Sequence, residues 1–140
     1  MKQEEIQEKL ILYQLLQKHF EELRMQGMMV ERKMAEFETT RQALEDIKNA
    51  DAKNETLVPL GSGLYTYGKI TDKARMLVDI GAGVMVNKEI KDAAQLLEGK
   101  KKDLGSITLQ LQREMENVAE QINSIAPQLE RALQEMQEQK

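Results

Sequence analysis

The segment Gly63-Leu64-Tyr65-Thr66-Tyr67-Gly68-Lys69 has the spacing G-x-x-x-x-G-K, the opening of a loop whose backbone amides cradle phosphate groups. Position 70 breaks the pattern. Ile70 stands where a Ser or Thr would hold magnesium, the interior residues are strand formers, and no helix start follows Lys69, so a strand containing a glycine accounts for the same residues. His19 is the only histidine. Even with Glu21 and Glu22 nearby it could touch a metal only with help from another chain, and a solvated helix position explains it without one. Ser62, Ser106 and Ser124 have no neighbouring base, and His19 lies on a different segment from each, so nucleophilic catalysis has no visible constellation. The chain has no cysteine, which excludes disulfides, thiolate metal sites and thiol catalysis. These residues point to no enzyme, no metal site and no cofactor.

Charge excludes further classes. The net charge of -4 arises from interleaved acids and bases, leaving no extended basic face for a phosphate backbone, so no nucleic acid is expected as a partner. Lys100-Lys101-Lys102 is flanked by Glu98 and Asp103 and reads as helix surface. No run approaches the roughly 18 to 20 apolar residues that span a bilayer, and the start, Met1-Lys2-Gln3-Glu4-Glu5, lacks a signal peptide's apolar core. A cytoplasmic chain with no membrane contact is expected.

The elements that carry these residues follow from composition. Trp is absent, Phe numbers two and Tyr three, and 31% of the chain is charged, which leaves little bulky volume for a globular core. Glu, Gln, Lys, Leu and Met dominate and favour long solvated helices. In residues 1–52 apolar side chains recur at Tyr13, Leu16, Phe20, Leu23, Val30, Met34, Phe37 and Leu44, a 3,4 rhythm interrupted at Gly27 and Arg41. In residues 88–140 Leu97, Leu104, Ile107, Leu111, Met115, Val118, Ile122, Ile125, Leu129, Ala132 and Met136 keep a similar rhythm, with Lys100 in one seam position and a stutter at Leu111. Heptads sustained this long predict a coiled coil. Helices of about 50 residues, roughly 75 Å each, need a partner along their length, and the other helix of the same chain supplies it in an antiparallel hairpin. Pro127 predicts a bend or local loosening near the far end.

Residues 53–87 are punctuated differently. Thr56 to Leu60, the turn Gly61-Ser62-Gly63, and Leu64 to Ile70 read as one β-hairpin; Arg75 to Ile80, Gly81-Ala82-Gly83, and Val84 to Val86 read as a second. Asn87 serves as the expected N-cap of the second helix, with Glu89 in its first turn. Isolated hairpins are marginal and leave open edges. Leu57, Val58, Leu60, Tyr65, Ile70, Leu77, Val78, Ile80, Val84 and Val86 offer more apolar surface than two helix ends cover, so other subunits are expected to cover it. At the other end, Ile6, Leu10, Ile11, Leu12, Tyr13, Leu15 and Leu16 occupy more of the helix circumference than a two-stranded seam uses, opposite Leu129, Leu133 and Met136.

The segment Leu57-Val58-Pro59-Leu60-Gly61-Ser62-Gly63 with Tyr65, Gly68 and Ile70, followed by Leu77-Val78-Asp79-Ile80-Gly81-Ala82-Gly83-Val84-Met85-Val86, resembles the hairpin region of α-class prefoldin subunits, and the flanking heptads agree. Two hairpins, where the β class has one, point to the α class. The resemblance implies one domain over 1–140, mainly α with a small β segment, whose hairpins join those of β-class subunits, two α with four β, in an oligomeric β-barrel. It implies an ATP-independent chaperone whose coiled-coil tips capture unfolded polypeptide and pass it to a cytosolic group II chaperonin. Ile6, Leu10, Ile11, Tyr13, Leu129, Leu133 and Met136 are then the expected client contacts. A filament-forming prefoldin variant and a tethering coiled coil are the alternatives.

Overall fold

The computed structural model describes residues 2–51 and 53–140. Helix α1 spans Gln3–Asn49, strands β1 Thr56–Gly61 and β2 Leu64–Gly68 form one antiparallel hairpin, β3 Arg75–Asp79 and β4 Met85–Glu89 form another, and α2 spans Ile90–Glu138. The chain divides into two compact units, residues 1–32 with 104–140, and residues 33–103.

The first unit is a two-helix arm. Ile6 of α1 clusters with Leu129 and Ala132 of α2, and Leu16 and Leu23 cluster with Val118. Rising numbers on α1 meet falling numbers on α2, so the helices are antiparallel. Phe20, Leu111, Met115, Ile122 and Ile125 pack around the second cluster. This core is thin, one layer of side chains per turn, because two helices alone enclose no deeper interior.

On α1 the covered positions keep strict heptad spacing from Ile6 through Lys9, Tyr13, Leu16, Phe20, Leu23, Gly27 and Val30 to Leu44. On α2 the seam differs from the one that apolar residues alone predict. It runs Leu97, Lys101, Leu104, Thr108, Leu111, Met115, Val118, Ile122, Ile125, Leu129, Ala132, with no stutter, while Lys100 and Ile107 lie exposed. Two polar residues hold seam positions here: the Lys101 ammonium reaches Glu38 of α1 at 3.2 Å, and the Thr108 hydroxyl donates to the Leu104 carbonyl at 3.1 Å. Both polar groups are satisfied while their carbon atoms contribute to the seam. Met136, expected on the seam, is also exposed. α2 continues through Pro127, which lies on its solvated face, where the amide donor it removes is least needed.

In the second unit, α2 begins at Ile90, two residues later than a cap at Asn87 would place it. Asn87 pairs with Leu77 inside the β3–β4 ladder, so strand pairing overrides its capping preference. The Ile90 amide instead donates to the Ala74 carbonyl at 3.0 Å, and Asp92 supplies the first-turn acid. The connector between the hairpins is set by Asp72. Its carboxylate accepts from the Ala74 amide at 2.9 Å and the Arg75 side chain at 2.8 Å, and these donors, the Arg75 side chain foremost, hold it below the usual carboxylate range.

Both hairpin turns demand unusual backbone. Ser62 and Ala82 adopt φ of 53° and 51° between glycines that are also positive, a region that disfavours a Cβ. Gly68 has a different reason to be glycine: a Cβ there would stand 3.1 Å from a Val58 methyl.

Candidate functional site

Strands β1 to β4 contain no buried residue among those described. Pairing follows Leu57↔Tyr67 and Val58↔Thr66 in the first hairpin, Leu77↔Asn87 and Val78↔Val86 in the second. Val58 crosses from Gly68 on one face of its ribbon, and Leu57, Tyr65 and Tyr67 line the other. Of the residues expected to drive assembly, Leu57, Val58, Leu60, Tyr65, Leu77, Ile80 and Val84 are exposed. Ile70, Val78 and Val86 are half-buried. Leu64, Tyr67 and Met85, apolar members of the same hairpin strands, are exposed as well. Two thin sheets, each with both outer edges open, are unstable as isolated objects in water.

The phosphate-loop spacing dissolves in this setting. Leu64 to Gly68 form β2, whose backbone pairs with β1, so the amides point along a ladder and converge on no common point.

The terminal turns of the arm sort the remaining expected residues into two groups. Ile6 and Leu129, at 7% and 5% exposure, are seam residues packed on Ala132, with Tyr13 half-buried against them. In the closed arm they hold the helices together. Leu10, Ile11, Leu133 and Met136 are exposed, with Leu12 and Leu15 beside them. Lys9 donates to the Gln128 side chain across the pair.

Electrostatics divide the chain unevenly. Residues 33–103 contain twelve acids and twelve bases, so the entire net charge of -4 belongs to the unit formed by 1–32 and 104–140. Within the second unit, Glu38 accepts from Arg41 at 2.6 Å and Lys101 at 3.2 Å. Arg41 first and Lys101 next pull its carboxyl down to about 2. This acid thus partners two of the cations that occupy seam positions, Arg41 and Lys101.

Comparison with known proteins gives these surfaces a family. A prefoldin-subunit family model matches residues 16–135. The chain is similar to prefoldin subunit alpha of Archaeoglobus fulgidus, 30% identical over 96% of this chain and 93% of that one. It is also similar to the Pyrococcus horikoshii protein of the same name, 31% identical over 90% and 83%. The chain belongs to the prefoldin family. It is an α-class prefoldin subunit, and prefoldins are chaperones. Among solved structures, filamentous PFD from Methanocaldococcus jannaschii matches with a TM-score of 0.73 at 20% identity, covering 87% of this chain and 98% of that one. The prefoldin beta subunit of Thermococcus strain KS-1 matches at 0.58 and 16%, covering 92% of each. Both likenesses concern the fold: long helices joined through small β-hairpins. No helix among the described residues is long and apolar enough to cross a membrane.

Proposed function

We propose that this prefoldin subunit joins β-class subunits through both hairpins, two α with four β, closing a β-barrel, while its arm holds unfolded polypeptide without ATP for a group II chaperonin. The supporting observation is where apolar surface stays uncovered: on every strand of the hairpins, and on the terminal turns of the arm. A covered barrel explains the first set, since closure removes sheet edges. Client contact explains the second. Leu10, Ile11, Leu133 and Met136 are the primary contacts, and Ile6, Tyr13 and Leu129 join them when the arm end frays. Each arm binds weakly; several arms on one client act together.

The test replaces Leu10, Ile11, Leu133 and Met136 with Ser and measures suppression of client aggregation by the complex assembled with β-class subunits. Suppression is lost while complex mass stays unchanged. Retained suppression refutes client capture at the arm end and favours a tethering role with defined, saturable partners. The likeness to filamentous PFD keeps one other assembly in view: particles that lengthen with concentration would identify the filament form.

A further inference from the structure

Gly27 occupies the α1 seam between Leu23 and Val30, a place where almost any other residue would strengthen the helix. A Cβ built on it meets nothing within 4 Å, so glycine is not forced there by crowding. What it leaves is a cavity of about 300 Å³ in the side of the arm, lined by Gly27, Met28, Leu111 and Met115 among apolar residues and by Arg24 and Glu31 among charged ones. The volume lies at the lower limit for ligand pockets, roughly 300 to 1,000 Å³, and suits one or two side chains.

The walls are adaptable. Met28 and Met115 are thioethers that reshape around different guests, and Met25 and Met29 extend the exposed apolar surface along α1, Met29 at 68% exposure. Charge decides what flanks the guest. Arg24 is already tied to Glu21 on its own helix, whereas no ion pair engages Glu31 among the described residues. The surrounding unit holds the whole negative balance of the chain.

We propose that the notch at Gly27 is a socket for a single large apolar side chain of an unfolded polypeptide whose neighbouring residues are basic. It rests on the client-holding role above and adds a second station on the arm, with a preference in sequence context that exposed leucines alone would not impose. The bare seam position makes room, the methionines supply tolerance, and Glu31 with the acidic arm selects the flanking charge.

The experiment uses the complex assembled with β-class subunits. Two fluorescent unstructured peptides serve as probes, each with one central Leu, flanked by lysines in one and by glutamates in the other. Because the chain lacks cysteine, Gln112→Cys, on the cavity lining, takes a benzophenone label at a single point. The lysine-flanked peptide is expected to crosslink at least about fivefold more than the other at low salt, a preference that fades as salt rises. Gly27→Leu fills the notch from within and weakens binding of the lysine peptide roughly five- to tenfold, the effect of losing partial burial of one Leu, while the thermal midpoint rises. Gly105→Ala gives α2 a comparable gain in helix propensity away from the lining and keeps wild-type binding. Unchanged binding in Gly27→Leu, equal crosslinking of the two peptides, or equal loss in Gly105→Ala overturns the socket. If Gly27→Leu has no effect while the arm-end replacements still abolish aggregation suppression, only the socket fails; if the arm-end replacements have no effect either, the client-holding reading fails with it.

Discussion

Substituting Leu77 with Asp separates assembly from folding. Leu77 sits in β3 opposite Asn87, and 65% of its surface is open in the isolated chain. It therefore contributes little to the subunit's own stability. Full burial of a Leu stabilises by about 1.5 to 3 kcal/mol, so covering the remaining two thirds in an assembly is worth about 1 to 2 kcal/mol. An Asp in the same place forfeits that gain and adds the desolvation of an unpaired carboxylate, at least about 2 kcal/mol after local relaxation. The combined penalty of about 3 to 4 kcal/mol weakens each association step several hundredfold. Mixed with β-class subunits at micromolar concentration and examined by sedimentation velocity, Leu77→Asp remains unassembled, yet its helical circular dichroism and melting match those of the unassembled parent chain. Normal assembly of the variant would show that this strand face stays solvated in the complex and would refute the account of why the hairpins are apolar. Loss of helix in the free variant would refute the premise that Leu77 is not part of the fold.

Three other outcomes are expected. Leu23, 3% exposed within the arm's larger cluster, loses about 2 to 3 kcal/mol on replacement by Ala, the lower part of the range for Leu→Ala because a two-helix seam can close partly around the gap; faster hydrogen exchange confined to residues 2–32 and 104–140 reports it, and no change would mean the arm is not held by this layer. Glu38 carries a carboxyl lowered from 4.5 to about 2, so its contribution is complete above the unfolded value and disappears as pH falls from 4.5 through 2; carbon-detected titration of its carboxyl should show the low midpoint, and Arg41→Gln should move it up. Ala82→Gly relieves a positive φ at the cost of a looser unfolded chain, a net gain of about 0.5 kcal/mol, visible as slower exchange of the Ile80 and Val84 amides that close this turn.

Much of this architecture is readable from residue spacing because a coiled coil encodes its partner face in every turn. Ile6 and Lys9 extend the α1 seam beyond the rhythm read from Tyr13 onward, but from Tyr13 to Leu44 that seam followed directly from its apolar residues, including the gaps at Gly27 and Arg41. The α2 seam did not, since Lys101 and Thr108 occupy it as polar residues whose stems do the packing, and the apolar Ile107 beside them is the more obvious choice on hydropathy. Asn87 has the chemistry of a cap but the pairing of a strand, a decision made by the partner Leu77 ten residues earlier. At the arm end, hydrophobicity could not tell Ile6 and Leu129 from Leu10 and Leu133; only the facing helix divides them into seam and surface. The cavity at Gly27 is invisible in a one-dimensional pattern, where it reads only as a missing seam member.

The most direct test of the account is the mass of the particle formed when this chain is mixed with a β-class prefoldin subunit, measured by native mass spectrometry. A six-chain complex holding two copies of this chain and four of its partner is the predicted result. A chain that stays monomeric beside its partner would contradict it.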